Sequence, residues 1–215
     1  MIISHKHKFI FIKTKKTAGT SIEIALSKIC GDKDIITPIT PEDENTRRAL
    51  GYRGPQNYYD VNSVQLFYNH IPASSIRMLV GDEIWDTYFK FCFERNPWDK
   101  VISWYFWEHQ SEPRPSISEF IQSGHAGLVG GPGGFDLYTI GGKVAVDRVC
   151  LYENINQEME RIQNQLKLPD IPALPTAKSR FRKDKRHYRE LLGAEDRIAI
   201  EKLFAREIAQ FGFTF

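Results

Sequence analysis

The sequence predicts an α/β fold in which helices flank a central, mostly parallel sheet. Short apolar runs of strand length alternate along the chain with segments whose apolar residues recur at helical spacing. The strand at 8–12 leads through a small-residue loop into a helix, and the strand at 88–94 leads directly into another. Strands that alternate with helices favour parallel pairing, with one helical layer on each face of the sheet. The expected architecture therefore has three layers.

The first strand and helix are defined by their apolar patterns. Four segments carry the apolar runs of buried strands: 8–12, 64–70, 88–94 and 145–153. In the segment that follows the first strand, Ile22, Leu26 and Ile29 recur at helical spacing, and Gly31 is a suitable stop. The next residues, 31–63, are rich in turn formers and predict a surface excursion with a helical turn near 42–50.

The later helices follow the remaining strands. The helix expected at 95–109 begins with Asn96 as a cap and Pro97 at its first position. Its large aromatic residues are expected in the core: Trp98, Trp104, Tyr105 and Trp107. A further helix is expected at 155–166, and the last one, near 195–210, carries apolar residues on one face: Ile200, Phe204 and Ile208.

Composition and charge narrow the function classes. The chain has 215 residues, which fits one domain spanning 1–215. Its 29 Lys and Arg against 27 Asp and Glu give a net charge of +2, which excludes a globally basic nucleic-acid coat. The three cysteines form no CxxC pair, so a disulfide framework and a structural zinc site are disfavoured. With no apolar run of about 18 residues and a polar start, we expect a cytoplasmic protein without a membrane span.

The turn after the first strand has the composition of a phosphate-binding loop. Residues 15–21 read KKTAGTS. Small side chains let the backbone approach an anion, and the N–H groups and dipole of the helix start attract it. Thr20 and Ser21 add hydroxyl donors, while Lys16, with Lys15 before it, neutralises charge. The Walker A pattern is absent because no Lys follows the glycine, so ordinary ATP or GTP hydrolysis is disfavoured. A capped helix with surface lysines is the alternative.

A second anion-binding feature follows the strand at 88–94. Arg95 stands at its carboxyl end, where α/β proteins bind ligands. A guanidinium presents a planar fork to a phosphate, and Ser103, two helical turns further on, offers a hydroxyl. A structural ion pair of Arg95 with Glu94 or Asp99 is the alternative. Because the first loop supplies an independent anion site, we favour a phosphate-binding role for Arg95.

These segments resemble a known family. KTKKTAGTS at 13–21 and FERNPWDKVISWY at 93–105 resemble the two motifs of the sulfotransferases, specifically the family-2 group that includes heparan-type carbohydrate O-sulfotransferases. The resemblance continues in VDRVCLYENI at 146–155 and covers most of the chain, from Phe9 to Phe213. It implies a P-loop-like version of the three-layer fold and a PAPS-dependent transfer of a sulfuryl group to a hydroxyl.

The resemblance also implies the roles of individual residues. The cofactor would be PAPS, 3′-phosphoadenosine 5′-phosphosulfate, with no metal. Its 5′-phosphosulfate would be held by the first loop: Lys15, Lys16, Thr17, Ala18, Gly19, Thr20 and Ser21. Arg95 and Ser103 would hold the 3′-phosphate, and Lys16 would contact the bridging oxygen and aid departure of the nucleotide. Two positions depart from the family pattern, since Lys15 replaces the usual proline and Lys100 stands where arginine is common.

Transfer to a hydroxyl also requires a general base. His70 is the best candidate, because the ordinary pKa of histidine is near neutrality, and it loosely matches the base of the heparan-type members. Capping of a helix that begins near Pro72 is the alternative role. Glu94, His109 and His125 are weaker candidates for the base. The acceptor is expected to be a hydroxyl-bearing small molecule or a glycan.

A basic block and two alternative functions complete the analysis. Residues 178–189 contain seven Lys or Arg in twelve positions. In the sulfotransferase interpretation this block covers the 3′-phosphate through Arg180 or Arg182, and no nucleic-acid partner is expected. The glycine-rich segment 124–134 is either a substrate-side lid or a flexible connector. The alternatives are a P-loop kinase-like phosphotransferase that needs ATP and Mg²⁺, and a non-catalytic nucleotide- or RNA-binding protein that uses the block.

Overall fold

The computed structural model describes residues 1–175, 182 and 184–215. Its strands are β1 (Ile2–Ser4), β2 (Phe9–Ile12), β3 (Ile35–Ile36), β4 (Phe89–Glu94), β5 (Thr139–Ile140), β6 (Lys143–Val144) and β7 (Arg148–Leu151). Its helices are α1 (Gly19–Ser27), α2 (Pro41–Ala49), α3 (Ala73–Thr87), α4 (Pro97–Glu108), α5 (Ile117–Gln122), α6 (Ile155–Gln165), α7 (Tyr188–Leu191), α8 (Ala194–Leu203) and α9 (Ala205–Phe211). Short 3₁₀ turns lie at His125–Val129, Gly131–Gly133, Phe135–Leu137 and Tyr152–Asn154.

The main sheet is mixed. Its five strands have the order β3-β1-β2-β4-β7, and β5 and β6 form a separate hairpin. β2, β4 and β7 run parallel, whereas β1 pairs antiparallel with both β2 and β3. The predicted α/β class is confirmed. The predicted mostly parallel sheet is correct only for the three strands that carry the candidate site at their carboxyl ends.

Alternate residues of the central strands face two different apolar clusters. One cluster packs β-strand residues against α3 and the turn after the glycine-rich segment: Ile10, Ile12, Cys92, Ile76, Trp85, Phe135 and Leu137. The other packs them against α1 and α6: Phe9, Phe11, Phe91, Phe93, Ile22, Leu26, Met159 and Ile162. The two-residue period of the strands therefore places helices on both faces of the sheet.

Two of the predicted elements have a different form in the structure. Residues 64–70 do not form a strand, and Gln65 makes only an isolated bridge with Tyr59. The apolar residues of this segment serve irregular packing instead, since Phe67 is buried in the cluster around α3. The last predicted helix is two helices, α8 and α9, which meet at Phe204. The break was not apparent from the apolar spacing, because Phe204 between the two helices is fully buried like Ile200 before it.

The described residues contain neither a membrane-spanning helix nor a cluster of metal-binding side chains. Within 1–175, 182 and 184–215, no helix combines the length and the apolar character needed to cross a bilayer. In the same residues, no three His, Cys, Asp or Glu side chains converge in the manner of a metal site.

Candidate functional site

The loop between β2 and α1 has an unusual backbone. Lys16 and Ala18 have φ angles of 62° and 60°, in the left-handed region that non-glycine residues seldom adopt. Thr14 fixes this loop conformation through two contacts. Its hydroxyl donates to the carbonyl oxygen of Phe93 on β4 and lies 2.8 Å from the Thr17 hydroxyl oxygen. Strained backbone that the surroundings hold in place is common at functional sites. The helix that follows starts without a side-chain cap, so its first N–H groups face the loop.

Lys13 crosses the start of α1. Its ammonium forms a 2.5 Å ion pair with buried Glu23 and donates to the Asn69 side-chain oxygen at 3.2 Å. A Cβ atom at Gly19 would lie 2.7 Å from the Lys13 Cγ atom, so only glycine lets the lysine stem pass here. This contact explains the glycine of the loop by close packing, since its backbone has no left-handed φ angle.

One cavity of about 760 Å³ joins the loop to α4 and to the end of β7. The loop and the start of α1 contribute Lys13, Thr14, Lys15, Lys16, Ala18, Gly19, Thr20 and Ser21. The rest of the lining comes from Ile39, Thr40, Asn69, His70, Arg95, Ser103, Trp104, Trp107, Tyr152, Ile155, Asn156, Leu174, Pro175, Arg182 and Lys185. As far as the described residues go, this lining has six Lys or Arg and no Asp or Glu. The cavity is therefore suited to an anion.

Arg95 connects the two halves of the cavity. Its guanidinium donates to Asp99 through Nε and Nη2, and to the carbonyl oxygen of Lys16 through Nη1 at 3.0 Å. It also lies over the Tyr152 ring at 4.1 Å from the ring centre. The ion pair with Asp99 that the sequence left open is present, and Arg95 lines the cavity as well. These contacts fix the orientation of the planar fork.

Asp99 lies between two arginines. It accepts from Arg95 and, through its other carboxylate oxygen at 2.7 Å, from Arg182. Burial would raise the pKa of Asp99, but the two guanidinium groups outweigh burial and hold this pKa below its usual value. The carboxylate therefore stays charged, and it positions both arginines.

One face of α4 points into the cavity. Ser103, Trp104 and Trp107 lie within about one third of the helix circumference and all line the cavity. The two indoles stack with ring centres 4.7 Å apart and planes inclined by 17°. The Lys15 ammonium lies 5.4 Å from the Trp104 ring centre, and the Lys16 ammonium lies 5.4 Å from that of Trp107. The prediction of core packing holds for Trp98, Trp104 and Tyr105, and Trp104 also forms a cavity wall together with the half-buried Trp107.

The glycine-rich segment packs against the loop. The Lys15 N–H group donates to the carbonyl oxygen of Gly133 at 2.7 Å. A Cβ atom at Gly133 would lie 2.4 Å from the Leu128 carbonyl oxygen and 2.6 Å from the Lys15 Cδ atom. The glycine thus permits a close approach of two backbones. The sequence predicted a substrate-side lid or a flexible connector here. In the structure the segment forms 3₁₀ turns that pack against the loop through the Lys15–Gly133 contact.

His70 sits beside the start of the loop with a defined tautomer. Its Nδ1 atom lies 2.8 Å from the carbonyl oxygen of Lys13. A carbonyl oxygen only accepts, so Nδ1 carries the proton and Nε2 keeps its lone pair. Burial, together with the positive charge of Lys13, lowers the pKa of His70 to about 4, against the opposing effect of the hydrogen bond to the Lys13 carbonyl oxygen. The imidazole is therefore neutral near pH 7, as a general base requires.

The lowered pKa of His70 predicts an acid-sensitive stability. Between the ordinary pKa of 6.5 and the folded value of about 4, the unfolded chain binds more protons than the folded protein. Stability consequently falls as the pH drops through this window. Urea unfolding at pH 7 and pH 4.5 should show a smaller acid loss for His70→Gln than for the wild type. The exposed His125→Gln serves as the control, and equal acid losses in all three proteins would contradict the assignment.

The weaker candidates for the base lie elsewhere. Glu94 is 1% exposed and accepts from the Lys100 ammonium, the Tyr138 hydroxyl and the Arg95 N–H group. His109 caps the end of α4 against the Tyr105 and Phe120 rings, and exposed His125 also packs near Phe120. None of the three lines the described part of the cavity. Lys100 does not line the described part of the cavity, because it is fully buried with Glu94.

The structure brings most of the predicted site residues together. Thr17 is the exception in the first loop, since its hydroxyl is buried and donates to the Thr14 carbonyl oxygen. Arg182 lines the cavity, whereas Arg180 lies outside the described residues. Sequence reasoning missed Asn69 and the bridging role of Asp99. Tyr152 lies in the segment 146–155, in which the family resemblance continues, but the resemblance gave this residue no role.

Comparisons with known proteins give one relative. No family model matches the chain. An uncharacterized protein of Archaeoglobus fulgidus is 34% identical over 105 residues, which are 46% of this chain and 85% of the archaeal protein. Identity at this level over most of the relative indicates common descent. The chain therefore belongs to the same family as this uncharacterized archaeal protein.

Proposed function

We propose that the protein is a PAPS-dependent sulfotransferase that moves a sulfuryl group to a hydroxyl of a carbohydrate acceptor by direct in-line transfer. One observation carries the proposal. The loop at 13–21 and the pair Arg95 and Ser103, which the sequence resemblance assigns to two phosphates of one cofactor, line a single cavity. The proposal includes a P-loop-like, three-layer assignment of the fold, supported by the parallel strands β2, β4 and β7 that lead into the loop and α4.

The chemistry of the lining fits a nucleotide with two separate phosphates. Small residues and the start of α1 are suited to the 5′ end, because N–H groups and hydroxyls can surround an oxyanion there. Arg95 and Ser103 are suited to the 3′-phosphate, and Arg182 adds positive charge next to them. Apolar residues of the same cavity suit the adenine ring: Ile155, Leu174 and Pro175. The bound cofactor would supply the sulfuryl group.

Two lysines compete for the role at the leaving oxygen, and the structure favours Lys16. Lys15 is tied to the glycine-rich segment by its N–H bond to Gly133 and by the packing of its stem against that glycine. Lys16 follows it in the left-handed conformation, and its carbonyl oxygen accepts from Arg95. Charge that develops on the leaving phosphate would be neutralised by the Lys16 ammonium.

His70 is the proposed base. Its protonated Nδ1 is held by the Lys13 carbonyl group, which leaves Nε2 to take the proton of an acceptor hydroxyl in the cavity. A pKa of about 4 makes the free imidazole a weak base. Negative charge brought by a bound cofactor would raise this pKa toward neutrality, so the base becomes stronger when the donor is loaded.

The affinity for the 3′-phosphate tests the proposal. PAP, the desulfated product, differs from 5′-AMP by this phosphate alone, so their affinity ratio measures its contribution. We expect calorimetry to show PAP binding more tightly, and Arg95→Ala to reduce the ratio by about 10- to 100-fold, because charged hydrogen bonds contribute about 1.5–3 kcal/mol. Arg95→Lys should restore part of the ratio, since it keeps the charge and loses the fork.

A second arginine–aspartate pair provides the control. Arg77 pairs with Asp82 on the surface of α3, outside the cavity lining. Arg77→Ala should leave the PAP to 5′-AMP ratio unchanged. Equal affinity of the wild type for the two nucleotides would contradict the proposed function, because the site would then hold no 3′-phosphate.

A further inference from the structure

The Lys16 ammonium rests against an aromatic ring that no motif assigns. It lies 5.4 Å from the centre of the Trp107 ring. Trp107 follows Ser103 by four residues on α4, so both lie on the helix face that lines the cavity. Its ring is stacked on Trp104 at 4.7 Å, which holds its orientation. The lysine is thus placed by a rigid surface of a neighbouring helix.

Such a contact has a specific electrostatic value here. Lys13, Lys15, Arg95 and Arg182 line the same cavity, and they repel the Lys16 ammonium to the extent that the ion pairs with Glu23 and Asp99 leave positive charge uncompensated. The face of an indole is the negative pole of its quadrupole and attracts a cation within about 6 Å of the ring centre. An ammonium keeps three N–H groups, so one side can lie on the ring while another donates to an anion.

We propose that Trp107 is a positioning residue that holds the Lys16 ammonium against its ring while Lys16 contacts the 5′-phosphate of the nucleotide. The inference rests on the proposed function. It assigns to the Trp104–Trp107 wall a task in orienting the leaving-group lysine, beyond general packing. The contact is retained in the loaded protein, so its loss weakens only the interactions that pass through Lys16.

The contribution of the 5′-phosphate isolates this effect. PAP differs from 3′-AMP by the 5′-phosphate alone, so their affinity ratio measures all contacts of this phosphate, including those of Lys16. Calorimetry should show that Trp107→Leu lowers this ratio by about two- to tenfold, which lies within the range of a cation–π contact. The affinity for 3′-AMP should stay the same, and Trp107→Phe should restore most of the ratio. If the role of Trp107 were purely structural, Trp107→Leu would instead lower the affinities for PAP and 3′-AMP by the same factor.

A double-mutant cycle and a matched control complete the test. In a Lys16→Met background, Trp107→Leu should have no further effect on the ratio, because the ring acts through the lysine. The other described lysine–tryptophan contact outside the cavity joins Lys90 to Trp85 at 5.5 Å, and Trp85→Phe should leave the ratio unchanged.

The outcomes separate the inference from the proposed function. If the wild type binds PAP no more tightly than either 3′-AMP or 5′-AMP, the proposed function is overturned. A wild type with both preferences, in which Trp107→Leu keeps the PAP to 3′-AMP ratio, would overturn the positioning role alone. If Trp107→Leu does not fold, the cycle is run with Trp107→His, and an effect that is equal with and without Lys16 would also overturn the inference.

Discussion

Replacement of Lys16 by methionine is expected to slow sulfuryl transfer by about 10²- to 10³-fold, the usual effect of removing one group that stabilises charge in a transition state. The ammonium neutralises charge that grows on the leaving phosphate, so its loss affects transfer more than binding. The affinity for PAP should fall by about tenfold or less. The measurement is the transfer of labelled sulfuryl from PAPS to a mixture of glycan fragments, with PAP affinity determined by calorimetry.

Lys15→Met is the matched control for this prediction. Both lysines lie in the same loop and each has its ammonium over an indole ring, but the Lys15 stem packs against Gly133. We expect Lys15→Met to lower the transfer rate much less than Lys16→Met. A rate that falls with Lys15→Met and survives Lys16→Met would contradict the assignment, and Lys15 would then be the leaving-group lysine.

The second large effect is on folding stability. Lys100 and Glu94 form a 2.5 Å ion pair in which both side chains are at most 1% exposed. Lys100→Met leaves the buried carboxylate without its cation, and breaking such a pair lowers the free energy of unfolding by about 3–5 kcal/mol. Urea unfolding should show this loss directly. Glu94 precedes Arg95 and accepts its N–H group, so the same variant should weaken PAP binding.

Two comparisons identify the cause of this loss. The double variant Glu94→Gln with Lys100→Met removes the unpaired charge and should recover part of the stability. The exposed pair Arg197 and Glu201 on α8 should contribute only about 0.3–0.5 kcal/mol when Arg197 is replaced by alanine. A Lys100→Met protein that is as stable as the Arg197→Ala protein would contradict the role given to the buried pair.

Strong local signals allowed the central elements to be predicted. The apolar runs that became β2 and β4 and the capped start of α4 were recognised because strands and capped helices leave short-range patterns. The strands β1 and β3 were missed because they have only three and two residues, too few for a pattern. The strand prediction for 64–70 is wrong because Phe67 and its neighbours pack into the apolar cluster from an irregular segment. An apolar run of this kind cannot be distinguished from a buried strand in the sequence.

The site was predictable where its residues lie in motifs. Arg95 and Ser103 were placed correctly at the cavity by their position after a strand and on the following helix. Trp104 and Trp107 also form a cavity wall, a role that the spacing of apolar residues does not distinguish from an interior position. Likewise, the density of glycine at 124–134 suggested mobility, whereas Gly133 is needed for a close approach to Lys15 that depends on tertiary structure. The tautomer of His70 depends on a carbonyl 57 residues away in the chain.

The central claim is that this cavity binds a 3′,5′-bisphosphorylated adenosine rather than a metal-bound triphosphate. Its most direct test is calorimetric titration of the full chain with PAP in the presence of EDTA and, separately, with ATP and Mg²⁺. Our account predicts metal-free binding of PAP that Arg95→Ala weakens, with weaker binding of ATP and Mg²⁺. Binding of ATP and Mg²⁺ without binding of PAP would contradict the account and favour the kinase-like alternative.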